Sequence, residues 1–324
     1  MSHQTMKYIF DFPEIYSLSD ISCYLNLSEL LLYKLSVRSD FCYREVDIPK
    51  SNGNVRTIAC PSKKLKAVQA WILNEILNKI PVENVATAFV KNKNIKTNAE
   101  KHVGNRFFIC LDIKDFFGSI SAKWVYNLFK SVGYGEHISH ILVNYCTYKK
   151  ALPQGGVTSP ALSNILCKRL DRRILGYVGA RNITYTRYAD DITISGNDMG
   201  ILIGCLEFVE RIIKSEGFTL NYNKFRVLRP GRQKKVTGMI INDDNKVTIG
   251  RKKVRELRAA IYNLYRDQYN GDKRDTYSKR SNHINGWLNF LKGIDKDSYD
   301  KLIKYRNKFQ QKFPAYQVAA TDEE

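Results

Sequence analysis

The feature that most constrains this chain is a pair of adjacent carboxylates, Asp190 and Asp191, placed between two runs of strand-forming residues. The run before the pair (183–188) and the run after it (192–195) are β-branched or aromatic, which predicts two strands joined by a tight turn. Two acids side by side at a turn repel each other, so the arrangement is unfavourable unless a cation neutralises it. Carboxylate oxygens favour Mg²⁺ or Mn²⁺ over zinc. A solvated Asp-Asp turn is the alternative interpretation.

A third acid, Asp112, ends the apolar run 107–111, whose length and composition predict a buried central strand. Nucleotidyl transfer by two metal ions requires carboxylates from different chain segments to converge. Asp112 is therefore the candidate third metal ligand. The alternative is an ordinary strand-end acid that caps a neighbouring helix.

The net charge of +20 on 324 residues indicates a polyanionic partner, and nucleic acid fits best. Between Lys224 and Arg258 there are twelve Lys or Arg residues and only three acids. Seven cysteines without a Cys-x-x-Cys pair argue against a disulfide framework or a zinc site. No long uncharged apolar run occurs, so we expect a soluble, cytoplasmic protein with no membrane partner.

The predicted elements alternate between strands that carry acids and helices. A hairpin is predicted around Asn52-Gly53-Asn54, and helices are predicted after Ser28, Ser62 and Ser121. Ser159-Pro160 predicts a helix start that continues to about Tyr177, and Met199–Ser215 predicts another helix before Gly217. The pattern indicates an α+β fold in which helices pack on one face of an antiparallel sheet.

A glycine-bearing loop, Pro153-Gln154-Gly155-Gly156, runs into the predicted helix start at Ser159 and would bring backbone close to a ligand. The order of Asp112-x-x-Asp-Phe-Phe, this loop, Tyr188-Ala189-Asp190-Asp191, and then Asn221 and Lys224 resembles that of reverse transcriptases. Asn98-Ala99-Glu100-Lys101-His102 and Val236-Thr237-Gly238 resemble two motifs that mark the retron reverse transcriptases.

The resemblance implies a right-hand polymerase fold with fingers, palm and helical thumb. We expect an N-terminal region and fingers over residues 1–105. The palm would occupy 106–241, with inserted fingers helices at about 119–149, and a basic, RNA-binding thumb would occupy 242–324.

The resemblance also implies roles for individual residues. Asp112, Asp190 and Asp191 would be catalytic and would bind two Mg²⁺ ions, with Mn²⁺ as a possible substitute. Four residues would bind the nucleotide. Arg56 would bind its triphosphate, and Gln154 would contact its sugar and base. Phe117 would be a steric gate that excludes a 2′-hydroxyl, and Lys224 would protonate the leaving pyrophosphate. The alternatives are a core aromatic for Phe117 and a polar loop side chain for Gln154. For Arg56 the alternative is a solvated surface arginine, and for Lys224 it is a contact with the template backbone.

The insert-like motifs imply RNA contacts by Asn98, His102, Val236, Thr237 and Gly238, although a lone His is more often structural. The implied activity is RNA-directed DNA synthesis from deoxynucleotide triphosphates on a cognate non-coding RNA that supplies both template and a 2′-hydroxyl primer. Its DNA product would be branched, RNA-linked single-stranded DNA (msDNA), made in antiphage defence. We expect the effector protein and the host ribonuclease H to be separate chains.

Three alternatives stay open on the sequence. An intron-type reverse transcriptase would share the palm, an RNA-dependent RNA polymerase would share the paired acids, and a silent RNA-binding scaffold of a defence complex would need none of the chemistry. The Phe117 gate distinguishes deoxynucleotide from ribonucleotide use, and the intact set of three acids argues against the scaffold.

Overall fold

A computed structural model of the chain describes residues 10–49, 53, 55–242, 244–269 and 274–312. The described residues form twelve α-helices. In chain order these are Leu18–Leu25 (α1), Glu29–Val37 (α2), Lys63–Glu75 (α3), Ile95–Glu100 (α4), Ala122–Val132 (α5), Glu136–Cys146 (α6), Ser159–Leu166 (α7), Lys168–Gly179 (α8), Met199–Ser215 (α9), Arg251–Tyr269 (α10), Arg274–Ile294 (α11) and Lys296–Lys312 (α12).

The strands form three antiparallel sheets. They are Tyr43–Pro49 (β1), Val55–Pro61 (β2), Phe107–Asp112 (β3), Thr184–Tyr188 (β4), Asp191–Gly196 (β5), Arg226–Leu228 (β6), Lys234–Val236 (β7), Met239–Ile241 (β8) and Val247–Thr248 (β9). The hairpin expected around Gly53 is the β1–β2 pair, although three of the residues at its tip (51, 52 and 54) lie outside the described part.

Some of the helix starts follow the expected capping chemistry, whereas Ser121 makes no side-chain cap hydrogen bond and Ser159 is the first residue of its helix, after Thr158. The side chains of Ser28, Ser62 and Asp198 accept hydrogen bonds from backbone N–H groups in the first turns of α2, α3 and α9. The helix predicted from Ser159 to about Tyr177 is instead two helices, because Cys167 adopts φ −79° and ψ 0° between α7 and α8. No described helix is long and apolar enough to cross a membrane.

The chain divides into two compact units. The first unit comprises residues up to 94 together with 105–229, and it contains the β1–β2 hairpin and a four-stranded sheet in the order β4-β5-β3-β6. Helices α8 and α9 contact this sheet. One hydrophobic core extends through the unit from Phe12 to Leu220, and β3 is buried along almost its whole length, as its apolar sequence predicted.

The second unit comprises residues 95–104 and those from 230 onward. It contains the sheet β7-β8-β9 and helices α4 and α10 to α12. Asp295 is buried and links two parts of this unit: one carboxylate oxygen accepts from the Ile249 N–H at 3.0 Å, and the other accepts from the Ser298 N–H at 3.1 Å at the start of α12.

Both insert-like motifs lie in this second unit. The β7–β8 turn has Thr237 and Gly238 at its centre, with φ +45° and φ +89°, as in a type I′ turn. Asn98 donates to Thr237 Oγ1 at 3.1 Å, and Thr237 in turn donates to the Ile95 carbonyl at 3.4 Å. The segment 95–104 is therefore hydrogen-bonded to the turn of the second motif, although the two are far apart in sequence.

Asn98, His102 and Val236 are buried in this arrangement, and Gly238 is exposed. Direct RNA contact was expected of all five motif residues, but the burial of these three side chains is inconsistent with it. Asn98 instead helps to hold the β7–β8 turn against the segment 95–104 through its hydrogen bond to Thr237.

We predict that His102 makes the stability of the second unit depend on pH. Burial, with the charge of Lys101 adding to it, lowers the pKa of His102 to about 3 in the folded chain. An unfolded His has a pKa of about 6.5. Below about pH 6.5 the chain therefore takes up a proton when it unfolds. The stability that neutral His102 contributes is fully present above that pH and is lost as the pH falls towards 3. Between pH 7 and pH 5 the loss is about 2 kcal/mol.

Denaturant unfolding at pH 7 and pH 5 measures this effect. His102→Gln should lose about 2 kcal/mol less than the wild type over that interval, whereas His283→Gln, at an exposed position of the same unit, should follow the wild type. Equal pH dependence of the wild type and His102→Gln would contradict the prediction.

Candidate active site

The paired acids lie at the tip of the β4–β5 hairpin, as predicted. Tyr188 and Asp191 are the last paired residues, so Ala189 and Asp190 form a two-residue loop. Only Ala189 of these two has a positive φ, +56°, as in a type II′ turn, where glycine is the usual residue at this position. The tight turn places the two acids next to each other.

Asp112 lies directly opposite Asp191 in the sheet. Strand β3 pairs with β5 in an antiparallel register that matches Asp112 with Asp191, and side chains opposite each other in such a pair are close neighbours. The Ile113 N–H donates to the Asp190 carbonyl at 3.0 Å, which joins the segment after β3 to the acidic turn. Three carboxylates from two chain segments therefore converge, as the sequence predicted.

Burial raises the pKa values of Asp190 and Asp191, and the charges of neighbouring carboxylates add to the effect. Desolvation, followed by the negative charges of Asp190 and Asp112, raises the pKa of Asp191 to about 6. Desolvation also raises the pKa of Asp190, and Asp112 adds to the effect. The site therefore holds more negative charge than its own surroundings neutralise, and a bound cation would relieve it.

Lys224 and Asn221 hold the Asp112 carboxylate. Lys224 Nζ lies 2.6 Å from Asp112 Oδ2, and Asn221 Nδ2 donates to Asp112 Oδ1 at 3.1 Å. The Lys224 side chain is 56% exposed while Asp112 is almost fully buried. Desolvation alone would lower the pKa of Lys224, but the hydrogen bond to Asp112 and the charges of all three acids outweigh it and raise the pKa.

The donor set fits a divalent metal ion. All three side chains offer the oxygen ligands that Mg²⁺ and Mn²⁺ prefer, and their mutual repulsion gives a cation a favourable place to bind. Among the described residues, no three His, Cys, Asp or Glu side chains are arranged closely enough to enclose an ion. In this structure the Asp112 carboxylate lies against the Lys224 ammonium group.

Arg56 and Gln154 lie on neighbouring backbone segments. The Ala59 N–H of β2 donates to the Gln154 carbonyl at 2.8 Å. Gly155 has φ +123°, and a Cβ there would lie 2.7 Å from the Ala59 carbonyl oxygen, so the close approach requires glycine. Arg56 is exposed on the same strand, and its positive charge opposes a small part of the rise in the pKa of Asp190.

Phe117 follows Asp112 by a short turn in which Asp115 has φ +45°. Its ring is partly buried, with ring centroids 5.3 Å from Phe116 and 6.4 Å from Phe89. Phe116 is the buried core member of the pair, and Phe117 is the partly exposed one.

The sequence analysis missed a buried ion pair beneath the acidic turn. Arg187, fully buried, has its guanidinium on the Asp171 carboxylate, with an Nη2 to Oδ2 distance of 2.7 Å. Arg187 itself indicates such a pair in the sequence, because an arginine within a buried strand needs a partner for its charge. Its partner lies on α8 and could not be identified from the strand itself.

Comparisons with known proteins identify the family of the chain. A family model described as reverse transcriptase (RNA-dependent DNA polymerase) matches residues 48–247. The Retron Ec86 reverse transcriptase of Escherichia coli is 38% identical over 303 residues, which cover 93% of this chain and 92% of the relative. The Retron Mx65 reverse transcriptase of Myxococcus xanthus is 34% identical over 277 residues, covering 80% of this chain and 63% of the relative.

A third relative, the Retron Ec73 reverse transcriptase of Escherichia coli, is 32% identical over 273 residues, covering 79% of this chain and 84% of the relative. The extent and identity of these matches confirm the resemblance and the reverse transcriptase fold that it implied. With its converging acids, the chain belongs to the retron reverse transcriptases and is an RNA-directed DNA polymerase of a family that uses divalent metal ions.

Proposed function

We propose that the chain copies part of a structured non-coding RNA into single-stranded DNA, and that it primes from a 2′-hydroxyl of that RNA to give branched msDNA. The observation that carries the proposal is the convergence of Asp112, Asp190 and Asp191 on the β3–β5 pair. The chain's similarity to retron reverse transcriptases supplies the kind of template.

The three aspartates would hold two Mg²⁺ ions, with Mn²⁺ as a substitute. When bound, such ions activate the attacking hydroxyl and neutralise charge on the leaving pyrophosphate. Lys224 carries its proton because the acids raise its pKa, and its side chain reaches solvent beside Asp112. It is therefore suited to neutralise or protonate the departing pyrophosphate.

Arg56, Gln154 and Phe117 would hold the incoming nucleotide. Arg56 is exposed and close enough to Asp190 to affect its pKa, and its planar fork of donors suits triphosphate oxygens. The Gln154 loop lies against the strand that carries Arg56, so both would act on one nucleotide. The partly exposed ring of Phe117 would exclude a 2′-hydroxyl from the sugar.

We assign the palm to the sheet β4-β5-β3-β6 with its helices, the fingers to the β1–β2 hairpin with helices α1 to α3 and α5 to α6, and the thumb to helices α10 to α12. The thumb is rich in Lys and Arg, which supports phosphate contacts with RNA. The RNA-binding surface would be supported by three buried side chains beneath it, those of Asn98, His102 and Val236. The β7–β8 turn would present Thr237 and Gly238 to the RNA.

The family resemblance supports a biological setting of antiphage defence. The effector would be a separate protein, and a host ribonuclease H would trim the template RNA from the DNA.

Co-expression of the chain with the DNA that flanks its gene tests the proposed product. The wild type should yield a small branched RNA–DNA species that loses its branch on treatment with a debranching enzyme. Asp190→Asn should abolish it, because the substitution removes a metal-binding charge. Asp198→Asn is the matched control, since Asn is an equally good helix cap at this exposed position. A wild type that copies generic primed RNA but makes no branched species would contradict the retron assignment.

Phe117→Ala tests the steric gate. Removal of the ring should raise the use of ribonucleotides relative to deoxynucleotides by about tenfold or more, because the pocket no longer excludes the 2′-hydroxyl. Single-nucleotide incorporation kinetics with each triphosphate give this ratio. Phe208→Ala, at an exposed ring stacked on Tyr177, should leave it unchanged. An unchanged ratio in an active Phe117→Ala variant would exclude Phe117 as the gate.

A further inference from the structure

Arg187 lies beneath the acidic turn with its guanidinium fully buried and almost fully hydrogen-bonded. Nε and Nη2 donate to the two carboxylate oxygens of Asp171 at 2.8 and 2.7 Å. Nη1 donates to Asn164 Oδ1 at 3.1 Å and to the Ala189 carbonyl at 3.3 Å. The side chain thus joins helices α7 and α8 to the residue that immediately precedes Asp190.

The groups that hold this guanidinium are themselves fixed. Asp171 also accepts from the Tyr185 hydroxyl at 2.7 Å, and Asn164 donates to the Ala88 carbonyl at 2.7 Å. The Arg187 backbone is held as well, since its N–H donates to the Val85 carbonyl and its carbonyl accepts from the Thr87 N–H. Asp171, Asn164 and Arg187 are all buried, so water does not compete for these hydrogen bonds.

The carbonyl that Arg187 holds belongs to the strained residue of the turn. Ala189 has φ +56°, a conformation in which a residue with a Cβ is disfavoured, and it stands where a type II′ turn ordinarily has glycine. Such a conformation persists only where its surroundings hold it. The peptide plane whose carbonyl Arg187 contacts is the one between Ala189 and Asp190, so its orientation also sets the direction of the Asp190 backbone.

We propose that Arg187 is a positioning residue for DNA synthesis: its guanidinium, held by Asp171 and Asn164, fixes the Ala189 carbonyl and thereby the orientation of the Asp190 and Asp191 carboxylates. The inference rests on the proposed metal-binding role of those two acids. Arg187 touches neither substrate nor metal in this account and acts only through the turn.

A purely structural role is the competing explanation, and the chemistry of the cluster distinguishes the two. A buried ion pair is weak evidence for stability, because apolar residues of similar size often replace it without loss. A Lys would still satisfy the charge of Asp171. It cannot reproduce the planar fork that reaches Asp171, Asn164 and the Ala189 carbonyl together.

The test compares five variants of the full chain on primed RNA: Arg187→Lys, the double variant Arg187→Met/Asp171→Leu, each of these with Ala189→Gly, and the control Arg172→Met. Arg172 lies on α8 and pairs with Glu83 at the surface, with 65% of its side chain exposed, so its loss should change neither activity nor stability appreciably. The double variant removes both buried charges at once, and Arg187→Lys serves if the double variant does not fold.

The expected result is a fall in kcat of about 100-fold with an unchanged KM for the deoxynucleotide, because misplaced acids weaken the transition state and not nucleotide binding. Ala189→Gly should recover about fivefold or more of the lost kcat, because glycine adopts the left-handed conformation without the clamp. A folded Arg187→Lys or double variant with wild-type kcat would overturn the proposal. The proposal would also be overturned if the Arg187 variants lost activity and Ala189→Gly recovered none of it.

Hydrogen exchange in the metal-free protein gives a readout that does not depend on activity. The Ile113 N–H, which follows β3 and donates to the Asp190 carbonyl, should exchange faster in Arg187→Lys while the amides within β3 keep their rates. Faster exchange throughout the sheet would indicate a general loss of stability and overturn the positioning role. Measurement of Asp190→Asn distinguishes failure of the metal-binding proposal from failure of the Arg187 proposal. Full activity of Asp190→Asn would refute the metal-binding role of the acids, independently of the result for Arg187.

Discussion

Electrostatic repulsion among three carboxylates is the constraint on which the active site depends. Asp112, Asp190 and Asp191 converge because β3 and β5 pair with Asp112 opposite Asp191. Desolvation and mutual repulsion raise the pKa values of Asp190 and Asp191. The fold compensates with cations at the edge of the site: Lys224 pairs with Asp112, and Arg56 lies near Asp190. A divalent ion would complete this compensation.

The second requirement is a rigid turn beneath the acids. Apolar burial of β3 and β5 fixes the register, but burial alone does not determine the direction of a two-residue loop. Arg187 orients the loop through its hydrogen bond to the Ala189 carbonyl. Hydrogen bonds to Asp171 and Asn164 hold the Arg187 side chain in place. In this proposal the chemistry at the acidic turn depends on a buried charged cluster in the first unit.

Local patterns in the sequence predicted the parts of this site that lie close together along the chain. The β4–β5 hairpin follows from alternating strand formers around two acids, and the central strand β3 follows from an apolar run that ends in Asp112. The glycine loop was expected to approach a ligand, and the structure shows that Gly155 also permits contact with the strand of Arg56. The motif order then identified the family.

Contacts between residues distant in sequence could not be predicted in this way. Asn98 and Thr237 are 139 positions apart, and only the fold shows that they form one partly buried hydrogen-bonded cluster. Lys224 and Asp112 are separated by 112 positions, and Arg187 finds Asp171 on a different element. A single sequence shows which polar side chains need hydrogen-bond or ion-pair partners. Which residues become those partners depends on how the elements pack in the fold.

The most direct test of the central claim is the binding of Mn²⁺ to the full chain, followed by electron paramagnetic resonance without nucleotide or RNA. The account predicts saturable binding that Asp112→Asn and Asp190→Asn each weaken by about tenfold or more, because each removes one ligand charge. Asp198→Asn, an equally acidic position outside the site, should bind as the wild type does. Unchanged Mn²⁺ affinity in both active-site variants would contradict the claim that these carboxylates converge to hold the metal.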